Sequence, residues 1–406
     1  MMVAERYHLV KEWTQKNLKG DPVIWFIVFA LSILSIMVVY SATGTLAYKR
    51  MGGNTEHYLM KHSFLVLLSF GAMWFAHKID YRYYSRLSRV ALWISVPLLI
   101  ITYKFGINLN EATRWITIPV INQAFQPSDL AKLALISNLA AMLSRRQNSI
   151  DDFKEALIPV LMWIGVICGL IALTDVSSSA LLFATCMLLM FIGRVPMKYL
   201  AMLVAVGALA GVMAMTFGQR GETVSSRVSS FFNSEEVPFQ AEQSFIAIAT
   251  GGVTGKGPGQ SDQRNFLPHP YSDFIYAIII EEYGLIGGSL VLMLYLALLY
   301  RGMKAVATSE RAFGGLLSAG LTFALVLQAM INMGVAVGLG PITGLPLPLV
   351  SMGGTSQVFT GLAIGIILSV SRGEIDESMG NQRSVVSNQF ADYNKRKSQL
   401  EKINVA

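Results

Sequence analysis

The stretch PVIWFIVFALSILSIMVVY, residues 22–40, decides the fold class. It contains no charged side chain, and Asp21 stands directly before it. At 1.5 Å per residue a helix of this length is about 28 Å long, close to the roughly 30 Å of a bilayer's hydrocarbon core. A surface helix of a soluble protein would carry a polar face, and none is present here. The whole chain agrees. Of its 406 residues 53% are hydrophobic and 14% charged, where a soluble domain has roughly 25% charged. So few charges cannot cover a water-facing surface, so much of the surface faces lipid.

Outward from residues 22–40, nine further apolar runs are candidate spans: 59–76, 87–103, 127–144, 156–173, 176–192, 199–217, 274–300, 313–337 and 355–370. The expected fold class is therefore all-α, a polytopic integral membrane protein of about ten transmembrane helices. Its largest loop, 218–272, lies between the seventh and eighth. Residues 1–20 form a polar N-terminal segment with no cleavable signal pattern. Residues 21–372 form the membrane domain, and 373–406 a polar tail expected to be disordered.

Lysine and arginine set the orientation. The N-terminal segment, the even loops and the tail hold 22 of the 32, and the odd loops hold 9. Both termini are thus expected in the cytoplasm, with loop 218–272, Arg114 and the uncharged loop 338–354 outside. The net charge of +7 belongs to this bias. No basic run adjoins an aromatic platform, so no nucleic-acid partner is expected. Cys168 and Cys186 sit in apolar runs without CxxC or Cys/His spacing, so neither a disulfide nor a metal site is expected from them.

A charge at membrane depth costs at least about 2.5–3.5 kcal/mol, which makes each one a functional candidate. Lys132 lies in the fourth span. It either binds an anion, snorkels, or pairs with an acidic residue of the bundle. Asp175, between spans five and six, either caps the sixth or serves the site. Asp273, at the outer mouth of span eight, could cap that helix in the same way. Glu281 and Glu282 follow about 12 Å further along, pointing about 100° apart. One of them is expected to line an internal cavity, and a structural role is the alternative for each. The glycine cluster 251–259 has no GxxxxGK[ST] pattern and no preceding strand, so it is not a phosphate loop. The segment GLGPITGLPLPLVSMGGTS, 338–356, holds three prolines and five glycines without a charge. Such backbone is tolerated at membrane level only when it packs on protein or lines a cavity.

Three blocks carry a resemblance: ATRWITIPVINQAFQPSDLAKLALI (112–136), GPGQSDQRNFLPHPYSDFIYAIIIEEYG (257–284) and NMGVAVGLGPITGLPLPLVSMGGTS (332–356). With the span count and the outer loop, they resemble the SEDS (shape, elongation, division and sporulation) family of FtsW, RodA and SpoVE proteins. The likeness extends over most of residues 20–372. The third block is the most specific. Departures are Thr174-Asp175-Val176-Ser177 for the family's PDLG, His269 for the glutamate of LPE, and Met352 for an aromatic residue. The run GPGQSDQRNFLP lacks the insertion of RodA-like members, which points to a division-type member.

The resemblance implies a peptidoglycan glycosyltransferase that polymerises lipid II, an undecaprenyl-pyrophosphate disaccharide-pentapeptide, at the outer face of the cytoplasmic membrane, at the septum for a division-type member. Asp273 matches the essential acidic residue and is the expected base. Lys132 matches the family lysine, and with Arg114 and Arg264 is a candidate for the pyrophosphate. Arg227 is a weaker one. Glu281, Ser351 and Ser356 are further candidates for substrate contact. The resemblance fixes no cofactor, and a divalent cation (Mg or Mn) held by Asp273 and the pyrophosphate is compatible with the chemistry. Implied partners are a class B penicillin-binding protein, other division proteins and membrane lipids. A lipid II flippase and a non-catalytic division scaffold are the alternatives.

Overall fold

The computed structural model describes residues 18–51, 54–109, 112–118, 123–147, 154, 157–217, 221–232, 237–309 and 311–373. The tail beyond 373 and the N-terminal segment up to 17 lie outside the described residues. Thirteen helices are described: α1 Pro22–Ala42, α2 Gly44–Met51, α3 Thr55–Lys78, α4 Tyr81–Phe105, α5 Pro127–Arg145, α6 Ile158–Ala172, α7 Val176–Ile192, α8 Met197–Phe217, α9 Gly221–Phe232, α10 Phe239–Gly251, α11 Ile275–Thr308, α12 Ala312–Ala336 and α13 Ser356–Gly373. Each of the ten runs picked from the sequence falls on a helix. Six of these (α1, α3, α4, α11, α12 and α13) are long and apolar enough to cross a membrane, and α6, α7 and α8 are shorter apolar helices.

Helix starts follow local chemistry. Pro22 opens α1, where a missing N–H is harmless, and the Asp21 carboxylate accepts from the Val23 N–H at 2.9 Å. Asn54 and Asp80 cap α3 and α4 in the same way. Asp21 also pairs with Arg301 near the end of α11, which ties the two helices at one level.

Helix α12 is the central post. Its buried set runs from Gly314 to Ala336 on all sides, which an amphipathic surface helix could not do. On α1, Phe26, Phe29, Ile33 and Met37 are exposed at helical spacing, a stripe suited to lipid. Helix α13 lies against α3 through Gly361 and Gly365. A Cβ there would stand 2.4 Å from the Ser69 carbonyl and 2.3 Å from the Met73 carbonyl. Only glycine allows this backbone contact, the small-xxx-small device of membrane helices. Cys168 and Cys186 are buried and unpaired with each other.

Two features depart from the expected pattern. A small antiparallel sheet, β1 Ile107–Leu109, β2 Ala112–Ile118 and β3 Gln123–Phe125, stands between α4 and α5. Its register pairs Ile107 with Trp115 and Thr117 with Ala124. The run Thr113-Arg114-Trp115-Ile116-Thr117-Ile118 is rich in β-branched and aromatic residues, which explains the strand.

The second departure is in α11, which the sequence reads as one span over 274–300. It is two helices broken at Gly284, whose φ of 68° and ψ of −173° no helix contains. The second arm, 285–308, is about 36 Å long and sufficient to span. The first arm, 275–283, folds back beside it: the Tyr276 hydroxyl donates to the Gly288 carbonyl at 3.2 Å. Residues 274–282 are buried, so this arm is packed in protein on every side. The break is sealed by loop 252–257. Lys256 and Gly257 N–H groups donate to the carbonyls of Glu281 and Glu282, each at 2.9 Å, and Leu285 and Ile286 N–H groups donate to Gly252 and Val253 at 3.0 and 3.2 Å. Four backbone groups beside the break, two carbonyls and two N–H groups, thus find partners in the loop, as a low-dielectric setting demands.

Candidate functional site

Asp273 stands at the N-terminal end of the buried arm 275–283. It does not cap that arm: the N-cap is Phe274, with no side-chain cap bond. The Ser272 hydroxyl donates to Asp273 Oδ1 at 2.9 Å, and Oδ2 faces the backbone of Gly344 in loop 338–354. The Asn332 amide of α12 bridges the Asp273 carbonyl, at 2.9 Å, and the Leu345 carbonyl, at 2.8 Å.

Loop 338–354 is the other wall, and it reaches into the bundle. Tyr295, one arm-length down α11, donates its hydroxyl to the Pro348 carbonyl. Ser351 Oγ accepts from the Leu347 N–H at 2.8 Å and donates to the Ser272 carbonyl at 2.6 Å, and the Met352 N–H donates to the Tyr271 carbonyl at 2.9 Å. The loop and the segment carrying Asp273 are therefore stitched together. On either side of this seam sit two non-glycine residues with positive φ, His269 at 55° and Leu349 at 66°. A leucine in that region costs about 1–2 kcal/mol, which the seam's hydrogen bonds and burial must offset. Strain of this kind collects at functional sites.

The other candidates fall into separate clusters. Lys132 pairs with Asp129 on the same helix face at 3.1 Å, the i,i+3 spacing of α5. Arg114, on β2, pairs with Asp175 at 2.8 Å. Asp175 is also the N-cap of α7, accepting from the Ser178 N–H at 3.1 Å and hydroxyl at 2.7 Å. Next to Arg114, the Trp115 ring lies against Gly354, and Thr355 donates its hydroxyl to the Ala124 carbonyl at 3.2 Å. The sheet is thereby held to the start of α13, where Ser356 is the first residue. Arg264 donates to the Ser41 carbonyl and hydroxyl at 3.3 and 3.0 Å, and Ser41 in turn donates to Glu282. Among the described residues, no contact joins Asp273 directly to Lys132, Arg114 or Arg264.

Two sequence expectations are corrected. Glu281 has no exposed surface. Its oxygens accept from Ser261, from Lys256 Nζ at 2.7 Å, and from the Asp262 and Gln263 N–H groups at 3.1 and 3.3 Å. It fastens the outer loop and has no exposed surface for the expected substrate contact. Burial of the Lys256 ammonium acts to lower its pKa, but the hydrogen bonds and charges of Glu281 and Asp262 outweigh this and hold it above the ordinary lysine value. Ser351 is buried with its hydroxyl engaged on both sides, so it braces Asp273 and is not a substrate contact.

Two cavities open nearby. One, of about 730 Å³, is lined by Tyr40, Ser41, Thr45, Tyr48, Arg264 and Tyr283 among others. The second, of about 600 Å³, is lined by Arg227, Phe231, Phe239, Phe245, Pro268 and Ile342 among others. Arg227 donates there to the Ile342 carbonyl at 3.3 Å. Asp273 lines neither. Among the described residues there is no group of three or more His, Cys, Asp or Glu placed to hold a metal.

Sequence reasoning missed Asp129, Asn332 and Ser272. The i,i+3 spacing of Asp129 and Lys132 was a usable signal for the first. Asn332 opens the block 332–356 that resembles the family, but its role depends on two loops meeting, which the sequence does not display.

A helical bundle with a broken helix, an acidic residue at its inner end and a proline-rich loop packed across it now stands beside known proteins. The profile of the family described as "Cell cycle protein", that of FtsW, RodA and SpoVE, matches residues 21–375, and the chain belongs to this family. It is 31% identical over 372 residues to stage V sporulation protein E of Bacillus subtilis, covering 88% of this chain and 99% of that one. It is 32% identical over 356 residues to a probable peptidoglycan glycosyltransferase FtsW of Geobacter metallireducens, covering 86% and 94%. Among solved structures, one chain of a peptidoglycan synthase complex, described as showing structural coordination of polymerization and crosslinking, matches with a TM-score of 0.69 and 25% identity. That match covers 87% of this chain and 98% of the other. The rod shape determining protein RodA of Thermus thermophilus matches with a TM-score of 0.65 at 24% identity, over 87% and 97%, which bears on the fold.

Proposed function

We propose that this protein is a peptidoglycan glycosyltransferase that polymerises lipid II at the outer face of the cytoplasmic membrane, in septal wall synthesis. The observation that carries the reading is Asp273: an acidic side chain released from helix capping, braced through its backbone and by Ser272, at the seam of two blocks that resemble the family.

The reaction is a displacement at an anomeric carbon. The hydroxyl oxygen of the acceptor sugar forms the new bond to that carbon, and the bond to the pyrophosphate oxygen breaks with its electron pair leaving on the pyrophosphate. The hydroxyl proton goes to Asp273 as base. Cations stabilise the departing charge, and Lys132, Arg114 and Arg264 are the residues assigned to it. Lys132 and Arg114 already have a carboxylate partner, so the pyrophosphate, with more charge than one carboxylate, would have to compete for them. Ser356, at the start of α13, is kept as a substrate contact. Asp273 supplies a single carboxylate. A magnesium or manganese ion there would take its remaining oxygens from the pyrophosphate and so would arrive with substrate.

In this reading the ten helical runs are ten crossings, both termini are cytoplasmic, and loop 218–272 is outside. The partner is a class B penicillin-binding protein that cross-links the strands, alongside other division proteins. Purified protein incubated with fluorescent lipid II tests the reading. Glycan polymer on a gel is the expected product. Movement of lipid II across a liposome without polymer would replace the enzyme with a flippase, and neither activity would leave a scaffold.

A further inference from the structure

From the buried contacts of α1 and α3 we infer that His62 and Ser35 are positioning residues for Asp273, acting through the strained turn 347–351. This rests on the reading of Asp273 given above. Both residues are fully buried, on neighbouring helices. His62 lies seven residues into α3, about 10 Å from its start.

The hydrogen bonds fix the direction of the chain. Ser35 Oγ is 2.7 Å from the Val350 carbonyl and 2.8 Å from His62 Nε2. A carbonyl has no proton to give, so the one hydroxyl proton goes to Val350. The Ser35–His62 bond then requires Nε2–H as its donor, which fixes the tautomer. His62 orients the serine hydroxyl, and the serine holds the turn.

That turn carries backbone strain. Leu349, directly before Val350, has φ of 66°. Directly after it, Ser351 binds the Ser272 carbonyl, and Ser272 donates to the Asp273 carboxylate. A continuous path thus runs from His62 through Ser35, Val350, Ser351 and Ser272 to Asp273. On the far side Tyr295 grips Pro348. Without the Ser35 bond the turn keeps its ties to Tyr295, Asn332 and Ser272 but loses its tie to α1, and the relaxation of Leu349 moves Ser351 away from Ser272. A serine–histidine pair that merely stapled α1 to α3 would need no bond from the serine to the Val350 carbonyl.

The two roles separate in kinetics. His62→Phe keeps a planar aromatic ring and removes the donor. His62→Gln returns an N–H donor at the Nε2 position. Misplacement by about an ångström costs up to roughly a hundredfold in rate. His62→Phe should therefore lower kcat for lipid II polymerisation by about ten- to a hundredfold, with lipid II affinity and Tm nearly unchanged, and His62→Gln should restore most of kcat. Ser35→Ala, which removes one oxygen and cannot clash, should lower kcat similarly, and the double variant should be no worse than either single one. If His62→Phe does not fold, Ser35→Ala alone decides. Full kcat in a folded His62→Phe or Ser35→Ala protein overturns the inference, as does a loss that glutamine does not restore. Asp273→Asn measured alongside separates the two levels. Activity in that variant defeats the reading of the base, whereas an inactive Asp273→Asn beside a fully active His62→Phe defeats only the positioning role.

Discussion

Replacing Gly284 by alanine should unseat the broken helix on which the site depends. The residue has φ of 68° and ψ of −173°, a region essentially reserved for glycine and costing about 1–3 kcal/mol for other residues. The added Cβ would stand 2.1 Å from the Val253 carbonyl oxygen and 2.5 Å from the Gly255 nitrogen. These are backbone atoms with no rotamer to yield, so loop 252–257 has to part from the break. Four inter-segment hydrogen bonds seal that contact, and each is worth about 0.5–1.5 kcal/mol net. If half of them are lost, the total with the backbone term is about 2–6 kcal/mol. At roughly 2–4 °C per kcal/mol this is a fall in Tm of order 10 °C, read by thermal melting in detergent. Gly71→Ala is the control. It lies on an exposed face within α3 with no atom near its added Cβ, and a helical glycine-to-alanine change gains up to about 1 kcal/mol. A Gly284→Ala protein that melts with wild type would refute the clamped break.

Lys132→Ala should weaken lipid II binding and lower Tm together, because it strands Asp129. An unpaired buried charge costs about 3–5 kcal/mol, less here because the lysine is partly exposed. Lys132→Ala with Asp129→Ala should recover Tm and leave binding weak; recovery of both would reduce Lys132 to an ion-pair partner. Glu281→Gln should loosen loop 252–265, seen as faster hydrogen exchange at Lys256 to Gln263, and unchanged exchange would remove its fastening role. A reporter active only outside the cytoplasm, fused after Ala406, should be silent, and activity there would invert the topology.

Much of the fold was legible because lipid imposes simple rules. Residues 22–40 read as a span, and a helix long and apolar enough to cross a membrane stands there. What the sequence hid was geometry that depends on contacts distant along the chain. Residues 274–300 read as one apolar run interrupted only by Glu281 and Glu282, and the break at Gly284 is set by a loop about 30 residues upstream. The strand at Ala112–Ile118 was concealed by its short length among helices. At the site, the family blocks marked Asp273 and Lys132. They could not show that Ser351 faces inward to Ser272, that Glu281 answers to Lys256, or that Arg114 and Lys132 each have a carboxylate at hand. Buried polar side chains in membranes read alike whether they serve substrate or one another.

The central claim is that Asp273 takes the proton of the incoming sugar hydroxyl. Asp273→Asn keeps the shape and the Ser272 neighbour and removes only the proton acceptor. Measured together, lipid II polymerisation should fall by about 10²–10⁴-fold, while lipid II affinity and Tm stay near wild type. An Asp273→Asn protein that polymerises lipid II at the wild-type rate would contradict the account.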